Sequence, residues 1–178
     1  MKKIAITMVL FLAVFSTSIT AQHKTYSEGY GGTLNLGVGI GGYSGYYGYI
    51  GHTLPVLHAD YEFDVARNFT LAPFATFYSY TDKNYRETVV PVGVKGTLYL
   101  DRLLHAGSNW DFYGAGSLGV ALVSTTWDAN YYGDRTYYHS SSPLFLDLHL
   151  GTEYHLTNHL GLFLDLSTGV STVGLAIH

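Results

Sequence analysis

Beyond residue 30 the chain alternates hydrophobic and polar positions with a period of two, the pattern of β-strands whose two faces meet different surroundings. The clearest run puts Leu57, Ala59, Tyr61, Phe63 and Val65 on one face and His58, Asp60, Glu62 and Asp64 on the other. A second puts Leu144, Leu146, Leu148, Leu150, Tyr154 and Leu156 opposite Asp147, His149, Glu153 and His155. Leu160, Leu162, Leu164 and Leu166 repeat the pattern opposite Phe163 and Asp165, and Val90, Val92, Val94, Leu98 and Leu100 repeat it opposite Lys95 and Tyr99. Weaker strands are predicted over Thr33 to Gly41, Phe69 to Tyr78, Trp110 to Val123 and Val173 to Ile177. For the strand from Phe69, the set Phe69, Leu71 and Phe77 competes with Phe74, Tyr78 and Tyr80 for the apolar face. The total is eight strands, an even number, as an up-and-down barrel closed on itself requires.

The connections alternate in length. Ala66-Arg67-Asn68 and Thr157-Asn158-His159 are tight turns, whereas Gly42 to Leu54, Ser79 to Thr88 and Ser124 to Ser142 read as long loops. Asp101 to Asn109 is long for a turn on the first side, and Ser167 to Thr172 is short for a loop on the second. Short turns at one end and long loops at the other are the arrangement of a membrane barrel, with the short turns on the periplasmic side.

The N-terminus supplies a compartment. Lys2 and Lys3 precede the apolar run Ile4 to Phe15 and the small-residue stretch to Ala21, which reads as a secretory signal peptide over residues 1–21, cleaved after Ala21. Its apolar core is shorter than the roughly 20 residues of a transmembrane helix. Residues 22–178 then form a single domain. Without Lys2 and Lys3 the nine basic residues fall to seven against thirteen acidic ones, a net charge near −6, and nucleic acid is not an expected partner. There are no cysteines, so no disulfide framework supports the fold.

Composition decides which face meets what. Aromatic residues make up 16% of the chain and charged residues only 12%, less than a soluble shell normally carries. A soluble barrel of the lipocalin type would turn the polar face outward, yet that face offers one lysine, Lys95, beside small residues such as Gly37, Gly39, Ala115, Ser117 and Gly119. Leucine rows without charge suit hydrocarbon, and a closed barrel satisfies every backbone group there. The expected fold is therefore an all-β, eight-stranded antiparallel up-and-down transmembrane β-barrel.

Three stretches carry a resemblance to a known group: Ala66-Arg67-Asn68-Phe69-Thr70-Leu71, Val90-Pro91-Val92-Gly93-Val94-Lys95-Gly96 and Trp110-Asp111-Phe112-Tyr113-Gly114-Ala115-Gly116, together with the closing run Leu160 to Ile177. With these the chain resembles the small eight-stranded outer-membrane barrels of the OmpX and OmpA-transmembrane type. The resemblance implies an outer-membrane location, contact with outer-membrane lipid and lipopolysaccharide, and insertion by the barrel-assembly machinery. It departs at Ala176-Ile177-His178, where such barrels usually end in an aromatic residue.

An eight-stranded barrel leaves an interior that side chains fill or nearly fill. Asp60, Glu62, Asp64, Lys95, Asp147, His149, Glu153 and Asp165 are predicted to occupy it, with Tyr99, as a compensated polar filling. Hairpin register about Asn158 sets Asp165 beside Gly151, diagonal to His149 and Glu153, a grouping that could serve as a metal or proton site but is expected to be a structural polar plug. No ligand-spacing motif is present, so no catalytic, cofactor-binding or metal site is expected. Some barrels of this size act on lipid A through a His-x-Ser pair and a Glu, which His139-Ser140-Ser141 and Glu153 superficially offer. One strand from Ser141 to Glu153 would separate them by roughly 40 Å. Specificity is expected instead in the loops, where Tyr43, Tyr46, Tyr47 and Tyr49 and then Trp127, Tyr131, Tyr132, Tyr137 and Tyr138 gather, either to contact an extracellular ligand or to form an interfacial girdle. The expected function is a non-enzymatic structural or surface-interaction role, with a narrow pore for small solutes as the alternative.

Overall fold

The computed structural model describes residues 29–41, 53–133, 135 and 144–178. The leader, Tyr43, Tyr46, Tyr47, Tyr49, Tyr137, Tyr138 and His139-Ser140-Ser141 lie outside the described residues. Nine strand segments follow in chain order: β1 (Leu34–Gly41), β2 (Leu54–Tyr61), β3 (Phe63–Ala66), β4 (Phe69–Thr81), β5 (Tyr85–Tyr99), β6 (Trp110–Trp127), β7 (Leu144–Thr157), β8 (Leu160–Ser167) and β9 (Val170–Ile177). β2 and β3 are successive pieces of one strand, since both pair with β4. Every pairing is antiparallel between chain neighbours, and β1 also pairs with β9, which closes eight strands into an up-and-down barrel.

The side-chain parity is the predicted one. Leu36, Val38, Leu57, Leu118, Leu146, Leu148, Leu164 and Val173 point outward and are exposed, while Asp60, Glu62, Lys95, Asp147, Glu153 and Asp165 are buried inside. The soluble arrangement, with the apolar face inward, is not the one adopted. β4 is also settled: Phe74 and Tyr78 are buried inward, whereas Leu71 and Phe77 are exposed outward.

Three local expectations are corrected. β4 and β5 continue through most of the predicted loop from Ser79 to Thr88, leaving only Asp82-Lys83-Asn84 as the turn, and β6 runs to Trp127 instead of Val123. Cross-strand pairing carries these extensions, Tyr80 opposite Glu87 and Arg86 opposite Thr126. The segment after β5 contains a one-turn helix, α1 (Asp101–Leu104), ended by His105 at φ 52°. Asp64, expected inside, is exposed. The reason is that the strand breaks at Glu62, whose N–H donates to Thr33 O, so that β3 pairs with β4 alone and hangs below the closed ring.

Candidate functional site

The interior divides into two chemically opposite halves. Towards the short turns it is polar. Lys95 Nζ donates to Asp60 Oδ2 at 2.7 Å, and His58 Nε2 lies 2.9 Å from the same oxygen with its Nδ1 2.8 Å from Thr76 Oγ1. Asn35 Nδ2 donates to both Asp60 Oδ1 and Glu62 Oε1, and Glu62 Oε2 accepts from Thr70 and from Tyr99 Oη. On the facing wall His149 bridges Asp165 Oδ1, at 2.7 Å from Nδ1, and Ser117 Oγ, at 2.8 Å from Nε2. Tyr113 Oη donates to Asp165 Oδ2. Asp165 is opposite Gly151, as the hairpin register predicts. A Cβ at Gly151 would sit 2.2 Å from the Tyr113 ring, so the glycine makes room for that tyrosine.

The segment before β1 seals this end. Tyr30 stacks on Tyr99 with ring centroids 3.8 Å apart and donates its hydroxyl to Asp101 Oδ2. Asp64 accepts from the N–H groups of Tyr30 and Gly31, so this carboxylate pins the segment across the mouth instead of filling the interior. A Cβ on Gly31 would meet Asp64 N at 2.2 Å, which restricts that crossing to glycine.

Towards the long loops the interior is mostly apolar, with one buried carboxylate, Glu87, on the inward face of β5. Leu54, Val56, Phe74, Tyr78, Val89, Ala121, Phe145 and Val170 form one buried cluster, with Phe74 and Phe145 centroids 5.7 Å apart. Apart from Glu87, the alternation read from the sequence as polar inside does not extend to this half. Asp147 lies beside it and plays a different part, because its carboxylate accepts from Ser167 Oγ, Thr168 Oγ1 and Val170 N and so holds the tight β8–β9 turn.

Above the barrel, β4, β5 and β6 continue as a wall. Their lengths are 13, 15 and 18 residues, against 8 each for β1, β8 and β9. The outward rows change character at one level, from Phe77, Val90 and Leu122 to Ser79, Thr88 and Ser124. The inner side of the wall carries aromatic rings: Tyr80 and Tyr85 with centroids 6.2 Å apart, Tyr85 and Trp127 at 5.3 Å, and Trp127 stacked on Tyr131 at 5.4 Å. Tyr132 next to them is 92% exposed. At the opposite end an outward ring of aromatics contains Tyr61 against Phe63 and Trp110 against Phe112 and Tyr154.

Among the described residues one group brings three metal-ligand-type atoms within 4.8 Å of one another: Glu153, His155 and His178, at the short-turn mouth. Sequence reasoning set Asp165 diagonal to both His149 and Glu153; the structure bonds Asp165 to His149 and pairs Glu153 with His178 Nε2 at 2.7 Å. Asn35, Thr70 and Thr76 follow the inward parity of their strands and were within reach of periodicity. Tyr30 precedes any strand, and no local pattern marks it.

No protein-family model matches the chain, and no curated protein matches it. Among solved structures, it is similar to a de novo designed transmembrane β-barrel, with 11% identity and a TM-score of 0.48 over 83% of this chain and 95% of that one. It is also similar to the outer membrane protein Ail of Yersinia pestis in a phospholipid bilayer nanodisc, with 10% identity and a TM-score of 0.45 over 82% of this chain and 96% of that one. A crystal structure of Ail, the attachment invasion locus protein of Yersinia pestis, matches over the same shares with 7% identity and a TM-score of 0.44.

Proposed function

We propose that the protein is an integral outer-membrane barrel without enzymatic activity, exported through a cleaved leader over residues 1–21, that acts at the cell surface through the β4–β5–β6 wall. The membrane reading is supported by the belt. From Leu34 round to Ile177 no outward position of the described strands between the aromatic ring and the Phe77, Val90 and Leu122 level is charged. A lysine or arginine at mid-belt would cost about 2–4 kcal/mol in a bilayer. Outer-membrane lipid and lipopolysaccharide would surround this belt, and the barrel-assembly machinery would insert it.

The single observation that carries the surface role is the wall itself. A strand crosses the bilayer in about 9–11 residues, so β6 extends well past what spanning needs. The excess presents stacked rings and an exposed tyrosine above a filled barrel. Trp127 and Tyr131 offer flat faces with polar edges, the chemistry that binds saccharide rings at low entropic cost. The sugar portion of lipopolysaccharide, or another surface glycan, is the fitting class of partner.

The chain has two tryptophans, so Trp110→Phe leaves Trp127 as the sole indole reporter. In detergent-refolded protein, titration with purified lipopolysaccharide and with soluble oligosaccharides should shift Trp127 emission saturably, and Tyr132→Ala should weaken the response. An emission spectrum unmoved by every saccharide probe would remove the glycan reading. Recovery in the soluble periplasm instead of the outer-membrane fraction would remove the membrane reading.

A further inference from the structure

The mouth at the short-turn end contains a cluster that the surface role does not use. Glu153 and His155 lie two apart on β7 with the same inward parity, and His178 arrives just past β9, its N–H donating to His159 O. Between them in register stands Gly161, opposite His155 on one side and Ala176 on the other. A Cβ there would lie 1.9 Å from Glu153 Oε1, so this glycine is what allows the carboxylate to lean across β8 towards both imidazoles.

The hydrogen bonds behind the cluster fix which ring nitrogens carry protons. His155 Nε2 lies 2.8 Å from Asp111 Oδ2, an acceptor, so that nitrogen holds the hydrogen and Nδ1 presents a lone pair. His178 Nδ1 lies 2.9 Å from Thr33 Oγ1, whose own hydrogen is donated to Tyr30 O. Thr33 therefore accepts from His178 Nδ1, and His178 Nε2 donates to Glu153 Oε1 at 2.7 Å, the hydrogen that a metal ion would displace. The two ring nitrogens that point inward thus face one carboxylate oxygen: His178 Nε2 at 2.7 Å and His155 Nδ1 at 3.8 Å from Glu153 Oε1. Three ligand-type atoms converge within 4.8 Å of one another, an arrangement that a cation replacing that one hydrogen would complete.

We propose that Glu153, His155 and His178 bind a divalent transition cation of the zinc class, with Asp111 and Thr33 orienting the two imidazoles. Imidazole and carboxylate ligands suit this class. Ligand atoms about 2.0–2.1 Å from a tetrahedral ion stand roughly 3.3 Å apart, between the 2.7 and 3.8 Å separations from Glu153 Oε1 and inside the 4.8 Å that bounds all three atoms, so side-chain shifts on the order of an ångström would close the site. Both rings are partly open, His155 at 25% and His178 at 21% side-chain exposure, which leaves water access to a fourth position. A carboxylate behind a ligating histidine is the usual outer-shell partner and raises its basicity.

The test uses folded protein in detergent, stripped with chelator and titrated with Co²⁺ near pH 7.5. Cobalt d–d absorption should saturate at one ion per chain and be displaced by Zn²⁺. His155→Ala and His178→Ala should each abolish the band at concentrations that saturate the parent. Asp111→Asn, which touches no ion, should weaken binding about 10- to 100-fold. Heat-modifiable gel mobility checks that each variant is folded, and His155→Ala with Asp111→Asn carries the test if His178→Ala does not fold. Absence of the band, or a band that survives His155→Ala, would overturn the site, the first pointing to a His178–Glu153 hydrogen bond that no ion displaces and the second to an ion on other histidines.

Discussion

Lys95 is the one buried lysine or arginine among the described residues, and it sits between carboxylates that have no other fixed positive charge beside them. Its worth lies in what its removal leaves behind. Breaking a buried ion pair from one side strands the partner's charge and costs about 3–5 kcal/mol, whereas removing both members costs much less. Lys95→Met is therefore expected to lower the stability of the refolded barrel by that amount in urea unfolding followed by tryptophan fluorescence. Asp60→Asn with Lys95→Met should recover a large part of the loss, because the introduced amide keeps a hydrogen-bond acceptor for Asn35 and no charge remains at that position. Equal losses for the single and double variants would mean that the pair contributes nothing as a pair. Lys95 was legible in the sequence as the sole cation on an inward face, and so was Asp165 beside Gly151, because hairpin register is local. His178 was legible only as an anomaly. Its partners Thr33 and Glu153 are 145 and 25 residues away in the chain; closure of β1 on β9 brings Thr33 to it, and the pairing of β7, β8 and β9 brings Glu153.

At the scale of the element, strand length separates what spans from what protrudes. β7 is a spanning strand whose outward row, Leu144 to Leu150, is apolar, and Leu148 in its middle is 68% exposed. Thr126 on β6 shares the outward parity but stands above the level where the rows turn polar. Arginine at the two positions should behave oppositely. Leu148→Arg is expected to cost about 2–4 kcal/mol in lipid vesicles, and Thr126→Arg to stay within about 0.5 kcal/mol. Equal effects would mean that the belt does not face hydrocarbon. The spanning strands were legible because leucine rows leave a period-two trace. The wall was not, because Ser79, Thr81, Arg86, Thr88, Ser124 and Thr126 are polar, and their alternation with Tyr80, Tyr85 and Trp127 resembles a polar aromatic loop. Ladder pairing rather than burial of one face holds those residues, and composition along a single strand does not encode it.

For the molecule as a whole, the two halves of the interior act as seals of opposite kind. The cluster around Phe74 and Phe145 is apolar, so an ion passing it would lose hydration with little compensation at that level. The polar half, closed by Tyr30 on Tyr99 and by Lys95 on Asp60, offers groups already paired with one another. The two lie at different levels of the barrel, and the proposed filled interior requires either one to block it. The parent protein is therefore expected to give no discrete openings in planar bilayers. Phe74→Ala with Phe145→Ala should remain silent, because the polar seal persists, and Tyr30→Ala alone should remain silent, because the apolar one does. Combining the three substitutions with Lys95→Ala removes both obstructions and should produce openings. Conductance from the parent would establish the narrow-pore alternative, and conductance from the Phe74→Ala and Phe145→Ala variant alone would show that ions pass through the charged half unaided, reducing the interior to a single apolar gate.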